Sequence, residues 1–169
     1  EKPIAITLES LRAMKAAVDK AGVKTITCFE LRWNPWYRII DNMIRDDAIG
    51  ELFYGEVDYL HGIGPWYPQY VWYLTKDIGA SSMLTAGCHA LDALVSLMGA
   101  NVVEVSSYST YGGGENFSGG EDFKGYGYDP TQVSILKFDN GAIGKVGSCI
   151  ECTMPYAFPA TLIGTKGTI

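Results

Sequence analysis

Between residues 81 and 98 an apolar run carries four polar side chains, Thr85, His89, Asp92 and Ser96, at successive offsets of four, three and four. On a helix those offsets put all four on one face. An imidazole, with its ordinary pKa of about 6.5, is suited to moving protons at neutral pH, and a nearby carboxylate can fix its tautomer. The stripe admits two readings. It is a solvent face with a weak exposed His89 and Asp92 pair, or it lines a pocket in which His89 exchanges a proton. Gly87 and Cys88, small residues beside the imidazole, permit close approach by a ligand or another backbone. Two cations are of interest elsewhere. Read alone, Lys2 is an exposed terminal lysine and Arg32 a surface charge at the start of a helix.

Positioning such groups requires a scaffold. Leu8, Leu11, Met14, Val18 and Ala21 recur at helical spacing after Thr7, which serves as N-cap, and Gly22 supplies the stop. Lys24 to Leu31 is β-branched and aromatic, which suits a strand. Asn34 caps a second helix with Pro35 at its first position, and Ile39, Ile40, Met43 and Ile44 form its apolar face until Gly50. Glu51 to His61 reads as a strand, followed by an aromatic loop through Trp66, Tyr67, Tyr70, Trp72 and Tyr73. Those rings either line a sugar-binding cleft or pack on the sheet.

Ser81 to Met98 forms the third helix, ended by Gly99. Val102 to Tyr111, Gln132 to Phe138, Ala142 to Cys152 and Ala160 to Ile163 are strand-like, and Asp139-Asn140-Gly141 is a hairpin turn. The Gly-rich run from Gly112 to Tyr128 reads as a mobile loop. Helices early and mostly antiparallel strands late predict an α+β fold: an open, mostly antiparallel sheet with helices on one face. Gly164 to Ile169 reads as a hairpin turn whose second strand has barely begun, so truncation at the C-terminus is expected.

The 169 residues can bury about 70% of their unfolded surface, enough for a hydrophobic core. A net charge of -6 and a pI near 4.8 argue against a nucleic-acid partner, since phosphate neutralisation needs clustered Lys and Arg. No stretch approaches the roughly 20 consecutive apolar residues of a membrane span, and Glu1-Lys2-Pro3 is neither a signal peptide nor an initiating Met. A soluble, cytoplasmic protein with a trimmed N-terminus is expected. Of Cys28, Cys88, Cys149 and Cys152 only the last two have CxxC spacing, and that pair sits in a strand-like run, so buried reduced thiols are expected and no metal site.

Short motifs along the chain give the stripe a context. Glu1-Lys2-Pro3, Arg32-Trp33-Asn34-Pro35, Ala48-Ile49-Gly50-Glu51, Gly79 through Asp92 (GASSMLTAGCHALD), Phe138-Asp139-Asn140-Gly141-Ala142 and Gly164-Thr165-Lys166-Gly167 occur in that order. Each alone is weak. Together they resemble the glucose-fructose oxidoreductase and inositol dehydrogenase family. The resemblance implies residues 1–31 as a remnant of a dinucleotide-binding domain, comprising the last helix and strand of a Rossmann-type fold. Residues 32–169 are then a substrate-binding and oligomerisation domain.

Further, the resemblance implies NAD or NADP as cofactor, with Lys2 and Pro3 on its side, and a sugar, polyol or keto-sugar as substrate. Lys2 would touch the nicotinamide ribose and the reacting hydroxyl, and His89 would be general base or acid. Arg32, Thr85, Asp92 and Trp72 would face the substrate. Thr85 stands where the family usually has Asp, so His89 is less basic or relies on Asp92. That departure keeps two alternatives in view: a glycosidase or lyase using NAD without net consumption, and a non-catalytic sensor. No GxGxxG opens a helix after a strand, and Gly112-Gly113-Gly114 leads into a polar loop. The isolated chain is therefore expected to be inactive. The apolar open sheet is expected to be covered in a homo-oligomer.

Overall fold

The computed structural model describes residues 2–112 and 125–169. Helix α1, Leu8–Ala21, begins where Thr7 Oγ1 accepts the Ser10 N–H at 3.1 Å and ends at Gly22, whose φ of 63° lets its N–H reach the Val18 carbonyl. The segment expected as a strand, 24–31, pairs with no strand among the described residues, and its end tightens into a 3₁₀ turn, Glu30–Trp33. β-propensity reports a surface that suits pleating; it does not supply a neighbour to bond. Apolar side chains of this region, Ile4, Leu8, Met14 and Ile26, remain exposed around a groove of about 620 Å³.

Helix α2, Pro35–Arg45, opens as read, with Asn34 Oδ1 accepting the Trp36 N–H and proline at its first turn. It stops short of Gly50, because Asp47 turns the chain with a φ of 56°. Strand β1, Leu52–Leu60, follows. The aromatic loop folds into two short helices, α3, Tyr70–Leu74, and α4, Lys76–Gly79. Tyr70 is buried in the core while Trp66 and Trp72 are exposed, so the loop divides between packing and surface. The chain then reverses in a three-residue turn, with the Ser81 N–H on the Gly79 carbonyl at 2.7 Å and Ala80 at φ 61°, ψ −57°.

The expected third helix is two pieces: a π-helical turn, Met83–Gly87, running into α5, Cys88–Met98, which ends at Gly99 in the left-handed region. Strands β2, Val102–Thr110, β3, Thr131–Phe138, β4, Ile143–Cys149, and β5, Ala160–Gly164, complete a five-stranded sheet in the order β2-β3-β4-β1-β5. β1 runs parallel to β4, and the other neighbouring pairs are antiparallel, so the sheet is open and mixed with an antiparallel majority. Gly141, at φ 88°, closes the turn between β3 and β4 as the Asp139-Asn140-Gly141 run requires. Of the Gly-rich run 112–128, residues 113–124 lie outside the described residues.

The core forms where α5 crosses β1 and β4. Leu94, Val57, Val146 and Leu162 are essentially inaccessible, and each such side chain contributes about 1.5–3 kcal/mol by burial. Gly55 is required there: a β-carbon on it would stand 2.7 Å from Met98 Sδ and 3.0 Å from Leu94 Cδ1. The run Lys76–Met98 is long and apolar enough by length and composition to cross a membrane, but much of it is buried inside the protein, where α5 lies on the sheet. On the opposite face Tyr108, Val133, Ile135 and Ile143 are exposed around the ion pair of Lys145 with Asp58.

Candidate active site

The polar stripe does not face water. Thr85 and His89 are 3% and 4% exposed, and Ser96 accepts the Tyr37 hydroxyl at 2.7 Å, tying α2 to α5. Gly87 lets the π turn close on β4, against Ser148, whose hydroxyl donates to the Ser82 carbonyl at 3.0 Å. This places the imidazole of His89 among aromatic rings from three other segments. Phe29 and Phe158 meet it edge-on, with centroids at 6.0 and 6.4 Å, and Tyr59 of β1 lies nearly parallel to it at 6.4 Å.

Charge reaches this imidazole from two directions. The ammonium of Lys2 donates to the carbonyl of Thr85, one helical turn before His89, so the first and middle parts of the chain meet there. Pro3 follows it, half-buried, through a cis peptide bond. Opposite, Glu30 Oε1 lies 3.8 Å from His89 Nε2. Glu30 also lines a cleft of about 420 Å³ with Leu31, Trp33, Asn34, Tyr156 and Phe158.

Arg32 and Asp92 are brought together, but with each other: Nε to Oδ2 at 2.7 Å and Nη2 to Oδ1 at 2.8 Å, a bidentate pair. The guanidinium fork thus engages both oxygens of the Asp92 carboxylate. Thr85 Oγ1 donates to the Ser81 carbonyl at 2.9 Å, so this hydroxyl bonds its own helix. Trp72 stands about half-exposed on α3.

Sequence reasoning missed several members. His61, just past β1, accepts or donates at Nδ1 with the Tyr59 hydroxyl at 3.0 Å and stacks on Tyr156 at 4.2 Å. Burial lowers its pKa, and Lys2 lowers it further while Glu30 opposes both. Tyr156 donates its hydroxyl to Glu30 Oε1 at 2.9 Å; burial first, then the Glu30 charge, raises its pKa and keeps it a donor. Burial likewise raises the Cys88 thiol to about 11, which holds it neutral beside His89. The available signal was scarcity: the chain has only two histidines, and both lie in this cluster.

A dinucleotide needs an anion site for its pyrophosphate, and α1 does not offer one: Thr7 already occupies the Ser10 N–H, and Glu9 puts a carboxylate in the first turn. The described residues fit such a cofactor at one end, where Lys2 projects into the cluster.

Known proteins share this fold. The family model described as the GFO/IDH/MocA C-terminal domain matches residues 37–169. The chain belongs to the GFO/IDH/MocA family. A D-apiose dehydrogenase of Paraburkholderia graminis is 41% identical over 59 residues, 35% of this chain and 16% of that protein. The scyllo-inositol 2-dehydrogenase (NAD(+)) of Bacillus subtilis is 26% identical over 179 residues, covering 100% of this chain and 46% of its own length. The crystal structure of an NAD binding oxidoreductase from Klebsiella pneumoniae superposes with a TM-score of 0.81 at 24% identity, over 99% of this chain and 45% of that one. This GFO/IDH/MocA chain thus spans less than half the length of these relatives, and at that identity the superposition establishes the α+β fold.

Proposed function

We propose that this GFO/IDH/MocA chain is the substrate-binding part of an NAD(P)-dependent dehydrogenase acting on a sugar, polyol or keto-sugar. The observation that carries the reading is the Lys2 ammonium on the Thr85 carbonyl, one turn from a buried His89 whose Nε2 lies 3.8 Å from Glu30, a residue of the cleft wall. The names of the Bacillus and Paraburkholderia relatives support the substrate class and the nicotinamide cofactor.

When bound, the nicotinamide supplies the hydride acceptor. His89 takes the proton of the reacting hydroxyl at Nε2, and Lys2 stabilises the negative charge developing on that oxygen. Phe29, Tyr59 and Phe158 enclose the imidazole and keep water from competing for the proton. Lys2 and Pro3 stand on the cofactor side. Residues 1–31 then complete the nucleotide-binding domain of the whole protein, and the exposed face around Tyr108, Ile135 and Ile143 is covered by a second copy.

In the full-length protein, His89→Ala should lower kcat roughly 100- to 10,000-fold in NAD(P) reduction with polyols and aldose sugars. Turnover at the unmodified rate would refute the assignment.

A further inference from the structure

We propose that Glu30 is the positioning carboxylate of His89, held in that role by Tyr156. The inference rests on His89 being the proton-transferring group. A general base is helped by a partner that stabilises its protonated form; on α5, Thr85 carries no charge and the Asp92 carboxylate is paired with Arg32. Glu30 supplies the carboxylate from the 3₁₀ turn, at ion-pair distance from Nε2. Its backbone is anchored on both sides, by Phe29 against the His89 ring and by Leu31, 1% exposed in the core. Its side chain is anchored by the Tyr156 hydroxyl.

The placement also sets a partly solvated charge beside a buried imidazole. The side chain of His89 is 6% exposed and that of Glu30 57%, so the carboxylate bridges the two environments. As the hydroxyl O–H bond breaks, its proton goes to Nε2 and the negative charge goes to the oxygen; the Glu30 carboxylate, 3.8 Å from Nε2, stays anionic and offsets the imidazolium charge.

The titratable groups around His89 are Lys2, Glu30, Tyr59, Tyr156, His61 and, on its own helix, Cys88 and Asp92; His61 also feels Lys2 and Glu30, so the His89 resonance is what separates the two imidazoles. Cys88 is held neutral by burial, Asp92 is offset by Arg32, and the Tyr59 hydroxyl is bonded to His61. Lys2 and Glu30 are therefore the opposing charges, and loss of Glu30 leaves the ammonium to disfavour the imidazolium.

Glu30→Gln in the full-length protein should reduce kcat roughly two- to fivefold, the rate equivalent of one partly exposed ion pair, and change KM less than twofold. The acid limb of kcat/KM should move to lower pH by about half a unit to one unit. Glu30→Asp should recover part of that displacement, and Tyr156→Phe should reproduce part of it. The same displacement should be seen without nucleotide or substrate in the His89 Cε1–H resonance, assigned by its disappearance in His89→Gln. An active His89→Gln protein would overturn the reading on which the inference rests. An inactive His89→Gln protein beside a Glu30→Gln protein with unshifted limb and resonance would overturn the role of Glu30 alone.

Discussion

Gly87→Ala should damage both stability and turnover, because this glycine sets the distance between the π turn and β4. A β-carbon there would lie 2.6 Å from Ser148 Cβ and 2.7 Å from Met83 Sδ. Carbon atoms pack at about 3.5–4.0 Å, so roughly 1 Å of separation must open. The methionine sulfur can swing aside; Ser148 Cβ is fixed to the strand. Overpacking of this kind costs about 1–3 kcal/mol, against a helix-propensity gain of about 1 kcal/mol, for a net loss of up to about 2 kcal/mol. The displaced turn carries the Thr85 carbonyl and His89 away from Lys2 and Glu30, and a misplacement of about 1 Å lowers turnover on the order of 100-fold. Urea denaturation and steady-state kinetics on the full-length protein measure the two effects. Adding Ser148→Gly removes the obstructing carbon and should restore most of kcat/KM, although the Ser148 bond to the Ser82 carbonyl, worth about 1 kcal/mol, is lost. A Gly87→Ala protein with unaltered stability and turnover would refute the reasoning.

Ala80→Gly should stabilise the protein by about 1 kcal/mol, since residue 80 sits at φ 61° and ψ −57°, a conformation costly for a side chain bearing a β-carbon. Chemical denaturation checks it, and an unchanged midpoint would count against strain at the turn. His61 should make folding acid-sensitive. Its folded pKa is lowered mainly by burial, so the unfolded chain binds the extra proton first. The contribution of His61 is complete above the unfolded value of about 6.5 and is lost as pH falls through the folded value. His61→Gln should therefore lose less stability than the parent between pH 7.5 and pH 5.5, on the order of one proton's linkage; equal slopes in the two proteins would refute it.

The scaffold was legible where one residue type has one job. Thr7 and Asn34 cap, Gly22 and Gly99 stop, and Asn140-Gly141 turns, each for a local reason that needs no tertiary partner. The segment 24–31 was not legible as a sheet member, because pairing depends on a neighbour that its own side chains do not specify. The stripe on α5 was half legible. Spacing placed Thr85, His89 and Asp92 on one face, but what covers that face comes from Phe29, Tyr59 and Phe158, remote in sequence. Glu30, His61 and Tyr156 carry no periodic signal, and their chemistry arises only from where the chain brings them.

Glu30 and Arg32 belong to the same 3₁₀ turn, two residues apart, and they contact α5 at His89 and at Asp92, three residues apart. The bidentate Arg32 and Asp92 pair is half-exposed on the arginine side, so its contribution to stability is at most about 1 kcal/mol. Its geometric effect is larger than its energy suggests. Two hydrogen bonds from a planar fork fix the turn's rotation against the helix, and that rotation holds the half-exposed Glu30 carboxylate 3.8 Å from Nε2. On the role proposed for Glu30, Asp92 acts on the imidazole indirectly, by locking the turn that presents a different carboxylate. A helix that lacks an acid at Thr85 can thus keep an acidic partner for its histidine, provided the turn bearing Glu30 stays clamped.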